Sequence, residues 1–496
     1  MNLFKKKEWL SNLRGDSLSG IVVALALVPE AIAFSIIAGV DPQIGLFASF
    51  TMAVTIAFVG GRPGMISAAT GAMALLMVNL VKEYGIEYLF AASILTGVLQ
   101  ILAGFIRLER FMSFVSQSVV TGFVNALAIL IFMAQLPELT NVSMMVYYLT
   151  AAGLGIIYLF PLVPKIGKVI PSPLVCIIVL TAVTAYFNID VRTVGDMGEL
   201  PKSLPVFHLP NIPITLETLF VIFPYAGAMC IVGLLESLMT SKIVDEMTDT
   251  QSNANQECKG QGIANIVVGL FGGMAGCAMI GQSIINVKSG GRGRLSTLIA
   301  GIFLIIMVVF LSQWLKIIPM AALVAIMIMV SIGTFNWDSF KNLKKHPLST
   351  NVVMMATVSI VVYTHNLAYG VFVGVLLASL FFANKIGRFM YVESELSDSG
   401  EHRKYHVHGQ VFFNSADEFI LNFDFKEQVN EVTLNLKGAH FWDISAVASF
   451  DKIVLKFKKE GKAVNIIGLN EASQTIIDRF GLINDHREID EILAAH

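Results

Sequence analysis

Long apolar stretches separated by short polar loops fill the chain up to about residue 386. A helix that crosses a membrane needs about 20 mainly apolar residues. On that rule the pattern predicts about fourteen spans, and therefore an all-α polytopic membrane domain over about 17–390. The spans lie near residues 17–39, 43–60, 66–82, 88–107, 112–136, 143–162, 173–188, 216–244, 260–273, 279–289, 295–314, 317–333, 350–366 and 368–386.

The third and the tenth of these segments are unusually short, and each is preceded by glycines. The first interrupted segment covers Gly60–Ala72 (GGRPGMISAATGA), and the second covers Gly272–Ser283 (GGMAGCAMIGQS). Interrupted apolar segments at corresponding places in two halves of a chain are the best sequence indication of a transporter's binding site. A helix that begins inside the membrane presents free N–H groups and partial positive charge, which suit an anion.

A polar stretch from about Ile189 to Thr215 divides the membrane part into two halves, at about 17–188 and 216–386. Each half has about seven predicted spans. Because seven is odd, the halves have opposite orientations, as an inverted repeat requires. We therefore expect the two interrupted segments to enter from opposite sides of the membrane and to meet near its midplane.

Basic residues are distributed unevenly between the predicted loops. If the N-terminal segment 1–16 is cytoplasmic, the outer loops hold only Lys82, Arg192, Lys202 and Lys316, and the other basic loop residues lie inside. Cytoplasmic loops carry an excess of Lys and Arg. The pattern therefore predicts a multi-pass protein of the cell membrane with both termini in the cytoplasm.

After about Ser397 the composition becomes that of a soluble domain. Residues 432–436 and 463–467 read as buried strands, and helical patterns follow at about 445–459 and 471–480. This alternation predicts a small α/β domain of about 95 residues, at 400–496.

Composition agrees with a membrane protein that has a soluble tail. Hydrophobic residues make up 55% of the chain and charged residues 14%, whereas a soluble protein carries about a quarter. The sequence has no basic run suited to nucleic acid, and no Walker A motif, metal-ligand cluster or nucleophile–base pattern that would indicate an enzyme or a cofactor. The four cysteines show no paired spacing, so we interpret them as free thiols that act as small packing residues.

Glu30 follows Pro29 in the middle of the first predicted span. An ionisable group at that depth costs roughly 2.5–3.5 kcal/mol on insertion scales and usually faces a polar cavity. Glu30 is therefore a candidate for the binding site, and Phe34, one turn further on, is a candidate apolar wall. The alternatives are a structural kink with a paired glutamate and ordinary core packing of the aromatic ring.

Glu236 and Thr240 are four residues apart in the eighth predicted span and therefore share one helix face. A carboxylate and a hydroxyl could hold Na⁺ together with freed carbonyl oxygens, or Glu236 alone could carry a proton. The alternative is a buried glutamate satisfied by hydrogen bonds.

The tips of the two half-helices are predicted at Thr70 and Gly71 and at Gly281, Gln282 and Ser283. Glycines let a ligand approach the backbone closely, and hydroxyl or amide side chains can donate hydrogen bonds to an oxyanion. Glycine-rich kinks without any ligand are the alternative.

Together these residues resemble the sulfate permease (SulP) family. The resemblance rests on ALVPEAIAF at 26–34, continued by AGVDPQIGL at 38–46, and on NANQECKGQGIAN at 253–265. It covers nearly the whole chain. The C-terminal domain resembles the family's STAS domain, and Asp443-Ile444-Ser445 resembles the site phosphorylated in related anti-sigma-factor antagonists. Ser445 is therefore a candidate regulatory residue.

The resemblance implies seven plus seven inverted spans divided into a core and a gate domain, usually in a homodimer, and secondary transport of small anions by an elevator motion. By position it implies an anion site lined by Glu30, Phe34, Thr70, Gly71, Gly281 and Gln282. Glu236 and Thr240 match the place where bacterial bicarbonate symporters of the family hold Na⁺.

Three positions depart from the family pattern. Glu30 stands where many members have glutamine, and Gln282 stands where animal anion exchangers have arginine. Without that fixed cation, a coupled cation would balance the anion's charge, which favours symport over exchange. Ile280 stands where the sodium site of the bicarbonate symporters has threonine, and glutamate at position 236 instead of aspartate favours a proton.

The sequence therefore predicts a symporter of a small inorganic oxyanion, bicarbonate or sulfate, coupled to H⁺ or Na⁺. The alternatives are a C4-dicarboxylate symporter of the same family and a nucleobase:proton symporter of the related fold. A channel, or a regulator that signals through Ser445, is a third class.

Overall fold

The computed structural model describes residues 6–107, 115–163 and 170–481. The chain forms two compact units, Met1–Val375 and Leu376–His496. The predicted start of the fifth span at residue 112 and the predicted end of the C-terminal domain at residue 496 lie outside the described residues.

The first unit is mostly helical. Its helices are α1 (Lys6–Leu10), α2 (Leu13–Ala38), α3 (Pro42–Val59), α4 (Gly71–Tyr84), α5 (Ile86–Phe105), α6 (Gln117–Gln135), α7 (Met144–Leu159), α8 (Ser172–Tyr186), α9 (Leu216–Thr248), α10 (Ala254–Leu270), α11 (Ile280–Lys288), α12 (Arg294–Lys316), α13 (Met320–Thr334), α14 (Trp337–Lys341), α15 (Leu348–Thr364) and α16 (Leu367–Gly387), the last of which continues into the second unit.

Each of the fourteen predicted apolar segments coincides with one of these helices, and the third and tenth coincide with the short helices α4 and α11. Among the described residues, eight helices are long and apolar enough to cross a membrane, and three shorter apolar ones accompany them. The mostly helical membrane domain is thus confirmed, whereas the number of crossings stays a prediction.

The helices of the first unit pack in two groups. One group contains α2–α5 and α9–α12, and the other contains α6–α8, α13 and α15. Their pairings repeat between the halves of the chain: α2 packs on α12 as α9 packs on α5, α2 on α4 as α9 on α11, and α6 on α15 as α13 on α7. These matched pairings are those expected of an inverted repeat with a core group and a gate group.

Small residues allow a close helix contact in the core group, between α5 and α10. Gly97 and Gly262 face each other there, and a Cβ atom on either would lie 2.4 or 2.5 Å from the other's carbonyl oxygen. Close approach through small residues is the usual way in which helices pack in membranes. A larger side chain at either position would force the two helices apart.

Two short strands cross in front of the short helices. β1 (Ser67–Ala69) precedes α4, and β2 (Gly276–Ala278) precedes α11. They pair antiparallel, with Ser67 opposite Ala278 and Ala69 opposite Gly276. The interrupted segments therefore meet as predicted, through a strand pair that the sequence did not indicate.

The second unit contains a four-stranded sheet in the order β3–β4–β5–β6, made of β3 (Tyr391–Leu396), β4 (His402–Val411), β5 (Glu431–Phe441) and β6 (Ala463–Ile467). β3 and β4 are antiparallel, and β4, β5 and β6 are parallel neighbours. Its helices are α17 (Ala416–Leu421), α18 (Ile444–Lys459) and α19 (Glu471–Phe480). The rings of Phe419, Phe450 and Phe457 fill its core.

The two strands and two helices predicted for this domain are confirmed, and β3, β4 and α17 were not predicted. Ser445 is exposed in the first turn of α18. The N-cap of that helix is Asp443, whose Oδ1 accepts a 2.9 Å hydrogen bond from the Ala446 N–H. A regulatory role for Ser445 stays a prediction.

Candidate functional site

Two helix N-termini converge on the β1–β2 crossing. Thr70 is the N-cap of α4, and α11 begins at Ile280, directly after β2. The first N–H groups of a helix have no acceptor within that helix, and the macrodipole adds partial positive charge there. Because the strands are antiparallel, the N-termini lie beyond opposite ends of the three-residue strand pair. The crossing therefore presents two sets of donors from opposite sides.

The two tips differ in how open they are. Gly281, in the first turn of α11, is exposed, and a Cβ built on it would meet no atom within 4 Å. A Cβ on Gly71, at the tip of α4, would lie 2.8 Å from the Phe34 ring, whose side chain is 3% exposed. The tip of α11 thus borders open space, while Phe34 covers the tip of α4.

Gln282 and Ser283 take different partners. The half-buried carboxylate of Glu30 is hydrogen-bonded by the side chain of Gln282, so the structure brings these two predicted residues together. The hydroxyl of Ser283, fully buried, accepts a 3.0 Å hydrogen bond from the Ile66 N–H. That contact fixes the turn before β1, and the predicted substrate contact of Ser283 stays a prediction.

Glu236 is connected to the crossing through a cysteine. The carboxylate of Glu236 is buried, and its Oε2 accepts a 3.0 Å hydrogen bond from the Cys277 thiol on β2. The same sulfur lies 3.1 Å from Oγ1 of Thr70. The neighbouring Ser237 accepts a 3.1 Å hydrogen bond from the Ala278 N–H, which fastens α9 to the strand. All four cysteines are buried and none forms a disulfide, as predicted, but Cys277 is more than a packing residue.

Thr240 is buried on the same helix, and its hydroxyl donates a 2.7 Å hydrogen bond to the backbone carbonyl of Glu236. That bond uses the only hydrogen of the hydroxyl. The carboxylate of Glu236 turns to a thiol, whereas a hard cation such as Na⁺ prefers oxygen ligands. Within the described ranges no three His, Cys, Asp or Glu side chains are grouped so that they could hold a metal ion.

A row of buried polar side chains on one face of α10 holds both interrupted segments, and the sequence analysis did not predict this role. Asn265 grips Gly276 with both ends of its amide: Oδ1 accepts from the N–H at 2.8 Å, and Nδ2 donates to the carbonyl at 3.1 Å. Gln261 donates to Oγ of Ser67 at 2.8 Å, and Glu257 Oε2 accepts from the Gly61 N–H at 2.7 Å. The available signal was polar residues at i, i+4 and i+8 within the 253–265 motif.

Replacing Asn265 with alanine is expected to lower the stability of the transport domain by about 1–3 kcal/mol, because the buried N–H and carbonyl of Gly276 lose their partners. A thermal melt in detergent measures this loss. Asn255→Ala is the matched control, since Asn255 is half-buried on the same helix and its side-chain oxygen makes no hydrogen bond. Equal melting temperatures for the two variants would contradict the stabilising role of the two hydrogen bonds between Asn265 and Gly276.

A cavity of about 600 Å³ lies between the two helix groups of the first unit. Its lining includes Ala33 and Ile37 of α2, Leu75 and Asn79 of α4, Leu130 of α6, Leu323 of α13 and His365 at the end of α15. Ala33 lies one turn from Glu30 on the same face of α2. None of the predicted site residues lines the cavity, whose wall comes within one helical turn of Glu30 along α2.

Comparison with family models identifies both parts of the chain. The model described as the sulfate permease family matches residues 13–152 and 148–357, and the STAS domain model matches residues 394–491. The Bacillus subtilis protein named "Putative sulfate transporter YbaR" is 54% identical over 472 residues, which cover 95% of this chain and 98% of that protein.

Two solved structures share the fold. The transmembrane domain of a cyanobacterium bicarbonate transporter, BicA, is 26% identical with a TM-score of 0.64, and the match covers 74% of this chain and 98% of that one. The overall structure of SLC26A9 matches with a TM-score of 0.81 at 17% identity, over 99% of this chain and 91% of that one. At that identity the second likeness bears on the fold alone.

Proposed function

The chain belongs to the sulfate permease family, and from that premise we propose that it transports a small inorganic oxyanion, sulfate or bicarbonate, across the cell membrane by symport with protons. One observation carries the proposal: two helices begin at one buried crossing, and Gly281 at the tip of α11 borders open space. Free N–H groups and helix dipoles at such a crossing bind compact anions without an enzymatic group.

Names of relatives support the substrate class. The Bacillus subtilis relative is named for sulfate, and the structural relative BicA is described as a bicarbonate transporter. Backbone N–H groups do not distinguish these oxyanions strongly, so both stay in the proposal. A nucleobase:proton symporter no longer competes, because the family is that of the sulfate permeases.

Glu236 is the residue that we propose to take up the coupling proton. It is an acidic side chain next to the crossing, and the thiol of Cys277 connects it to the tip of α4. A proton needs only one acceptor oxygen. Sodium would need several oxygen ligands, whereas the group that faces the carboxylate of Glu236 is a thiol. The contacts therefore favour H⁺ over Na⁺.

The two helix groups suit an elevator motion, in which the core carries the crossing past the gate. Both strands and both short helices belong to the core group. The 600 Å³ cavity is lined by core helices α2 and α4 on one side and by gate helices α6 and α13 on the other. Sliding of one group past the other would close this cavity and open its counterpart. A homodimer stays a prediction from the family resemblance.

A C4-dicarboxylate is the second candidate substrate, because a cavity of about 600 Å³ has room for a larger anion than sulfate. The two carboxylates of such a substrate could reach both helix tips. Competition of uptake by succinate would separate this candidate from the first.

The test is uptake of labelled sulfate, bicarbonate and succinate into proteoliposomes that contain the purified protein. We expect accumulation of sulfate or bicarbonate when the outside is acidic, and none when only a sodium gradient is imposed. Uptake that follows the sodium gradient and ignores pH would overturn the proton assignment. Absence of uptake of all three anions would overturn the transport proposal.

The cavity offers a test of the pathway. In an Ile37→Cys variant, a charged thiol reagent added outside is expected to modify the new cysteine and to block uptake, because Ile37 lines the cavity and the native cysteines are buried. Ile178→Cys is the control, since Ile178 is exposed on α8, where we expect lipid and not water. Labelling of both variants at equal rates would contradict the water-filled pathway.

A further inference from the structure

We infer that Cys277 is the positioning residue whose thiol makes anion binding at the β1–β2 crossing depend on the proton at Glu236. The inference rests on the proposed function and adds to it a specific link between the two sites. Cys277 is fully buried and lies between Glu236 and Thr70, with contacts of 3.0 and 3.1 Å. It is thus the one side chain that touches both the coupling carboxylate and the N-cap of a half-helix among the described contacts.

The three side chains form a hydrogen-bond chain with few hydrogens. An ionised carboxylate only accepts hydrogen bonds, whereas a thiol and a hydroxyl each have one hydrogen to donate. The oxygen of Thr70 also accepts a hydrogen bond from the Met73 N–H, at 3.4 Å, as the N-cap of α4. Each of these hydrogens can therefore be donated to only one acceptor at a time. The direction in which the three groups donate to one another depends on the charge of Glu236.

When Glu236 is ionised, the chain points toward it. The thiol of Cys277 donates to the carboxylate, and the hydroxyl of Thr70 donates to the sulfur, which is then the acceptor at hand. The hydroxyl hydrogen of Thr70 is then engaged by the sulfur, so only the lone pairs of its oxygen point toward the N-terminus of α4. Lone pairs there repel an oxyanion.

When Glu236 takes a proton from solvent, the chain reverses. The new carboxyl O–H donates to the sulfur, the thiol hydrogen turns to the oxygen of Thr70, and the hydroxyl hydrogen of Thr70 becomes free to donate to an oxyanion. No covalent bond changes except the O–H bond at Glu236, and loss of that proton restores the first state. A weak donor and acceptor such as a thiol lets the chain change direction at small cost.

The packing around Glu236 leaves few other titratable groups that could carry this link. The elements packed against α9 are α4, α5, α10, α11 and β2. Besides Cys277, their titratable side chains are Lys82, Glu83 and Tyr84 at the end of α4, Glu87 and Tyr88 at the start of α5, Glu257, Cys258 and Lys259 at the start of α10, and Lys288 at the end of α11. On α9 itself they are Glu217, Tyr225, Cys230, Lys242, Asp245 and Glu246.

Of these groups, Glu257 is bound to the backbone of the first interrupted segment and to Gln261. Tyr225 lies eleven residues before Glu236 on α9. Cys230 and Cys258 pack in an apolar cluster with Leu234 and Leu238, and the others lie toward helix ends. Cys277 therefore stands as the route from Glu236 to the anion.

The experiment measures the KM of anion uptake in proteoliposomes as the external pH is lowered from about 8 to about 5.5, for the wild type and for Cys277→Ala, Cys277→Ser and Thr70→Val. In the wild type we expect KM to fall several-fold as Glu236 becomes protonated. In Cys277→Ala and Thr70→Val, KM should no longer change with pH, because the chain is broken. Cys277→Ser keeps one donor hydrogen and an acceptor, so the pH dependence should return.

The outcomes separate the inference from the function on which it rests. Wild-type uptake that ignores pH overturns the proposed proton symport and the inference together. Proton-driven uptake in which Cys277→Ala keeps the wild-type pH profile of KM overturns the inference alone. If Cys277→Ala does not insert, Thr70→Val and Cys277→Ser decide, and a wild-type profile in Thr70→Val counts against the link.

Discussion

A Glu236→Gln variant is expected to lose accumulation of the anion against its gradient while still exchanging internal for external anion. Glutamine has nearly the same shape but cannot take up and release a proton. A pH difference of one unit supplies about 1.4 kcal/mol per proton, which corresponds to about a tenfold accumulation. With one proton coupled, the wild type should approach that ratio, and the variant should stop at equal concentrations inside and outside.

The side-chain contacts predict that exchange survives in this variant. The amide of glutamine can donate to the sulfur of Cys277, as a protonated glutamate would, and so holds Thr70 in the state that binds the anion. The KM of exchange in Glu236→Gln should therefore equal the wild-type value at low pH and stay there as pH rises. Counterflow of labelled anion measures exchange, and net uptake under a pH gradient measures coupling.

Glu246→Gln is the matched control, because this substitution removes the same charge from the same helix, at an exposed position near the helix end. It should accumulate the anion as the wild type does. Accumulation by Glu236→Gln at the wild-type ratio would refute the coupling role of this residue, and loss of both exchange and accumulation would point to a structural role.

Each half of the chain has a glutamate in the interior of its first helix. Glu30 lies in α2, and Glu236 lies at a similar depth in α9, the equivalent helix of the second half. Their partners differ: Glu30 receives the amide of Gln282, whereas Glu236 receives the thiol of Cys277. The symmetric backbone thus carries an asymmetric pair of sites, one beside the open tip of α11 and one linked to the covered tip of α4.

Apolar length predicted the helices well because a membrane-crossing helix needs a long apolar stretch wherever it packs. The same rule placed the half-helix tips, since glycines and small polar residues interrupt that stretch. The places where the two half-helices begin could thus be predicted from the sequence, before any contact between them was known.

The strand pair could not be predicted from pattern. Ser67–Ala69 and Gly276–Ala278 are each three residues long and contain mostly small side chains. They pair although they lie in opposite halves of the membrane domain's sequence. β-propensity reflects packing of branched and aromatic side chains on a pleated surface, and neither strand has any. The pairing follows instead from the amide of Asn265 and the hydroxyl of Ser237, which hold β2 in place.

Side-chain direction was the other part that the sequence could not supply. Spacing placed Glu236 and Thr240 on one face, but it could not show that Thr240 donates to its own helix backbone. Nor could it distinguish Cys277 from Cys176, which is buried in α8. Only the register of β2 against β1 turns the thiol of Cys277 toward Glu236.

Two alanine substitutions in the second interrupted segment should have opposite consequences. A Cβ on Gly276 would lie 2.3 Å from the carbonyl oxygen of Ala68, a backbone atom of the paired strand that cannot turn away. Gly276→Ala is therefore expected to push β1 and β2 apart and to break the two hydrogen bonds between Asn265 and the backbone of residue 276. Overpacking of this kind costs about 1–3 kcal/mol, and transport should be lost because the two helix tips no longer share one crossing.

Gly281→Ala adds the same methyl group five residues later, where no atom lies within 4 Å. Alanine forms helix better than glycine by up to about 1 kcal/mol, so stability should not fall. The methyl group would instead occupy the open space beside the N–H groups of α11 and raise the KM for the anion several-fold. Thermal melting and initial uptake rates of both variants measure the two effects. If Gly276→Ala melts and transports like the wild type, the crossing does not position the site, and an unchanged KM in Gly281→Ala would show that the anion binds elsewhere.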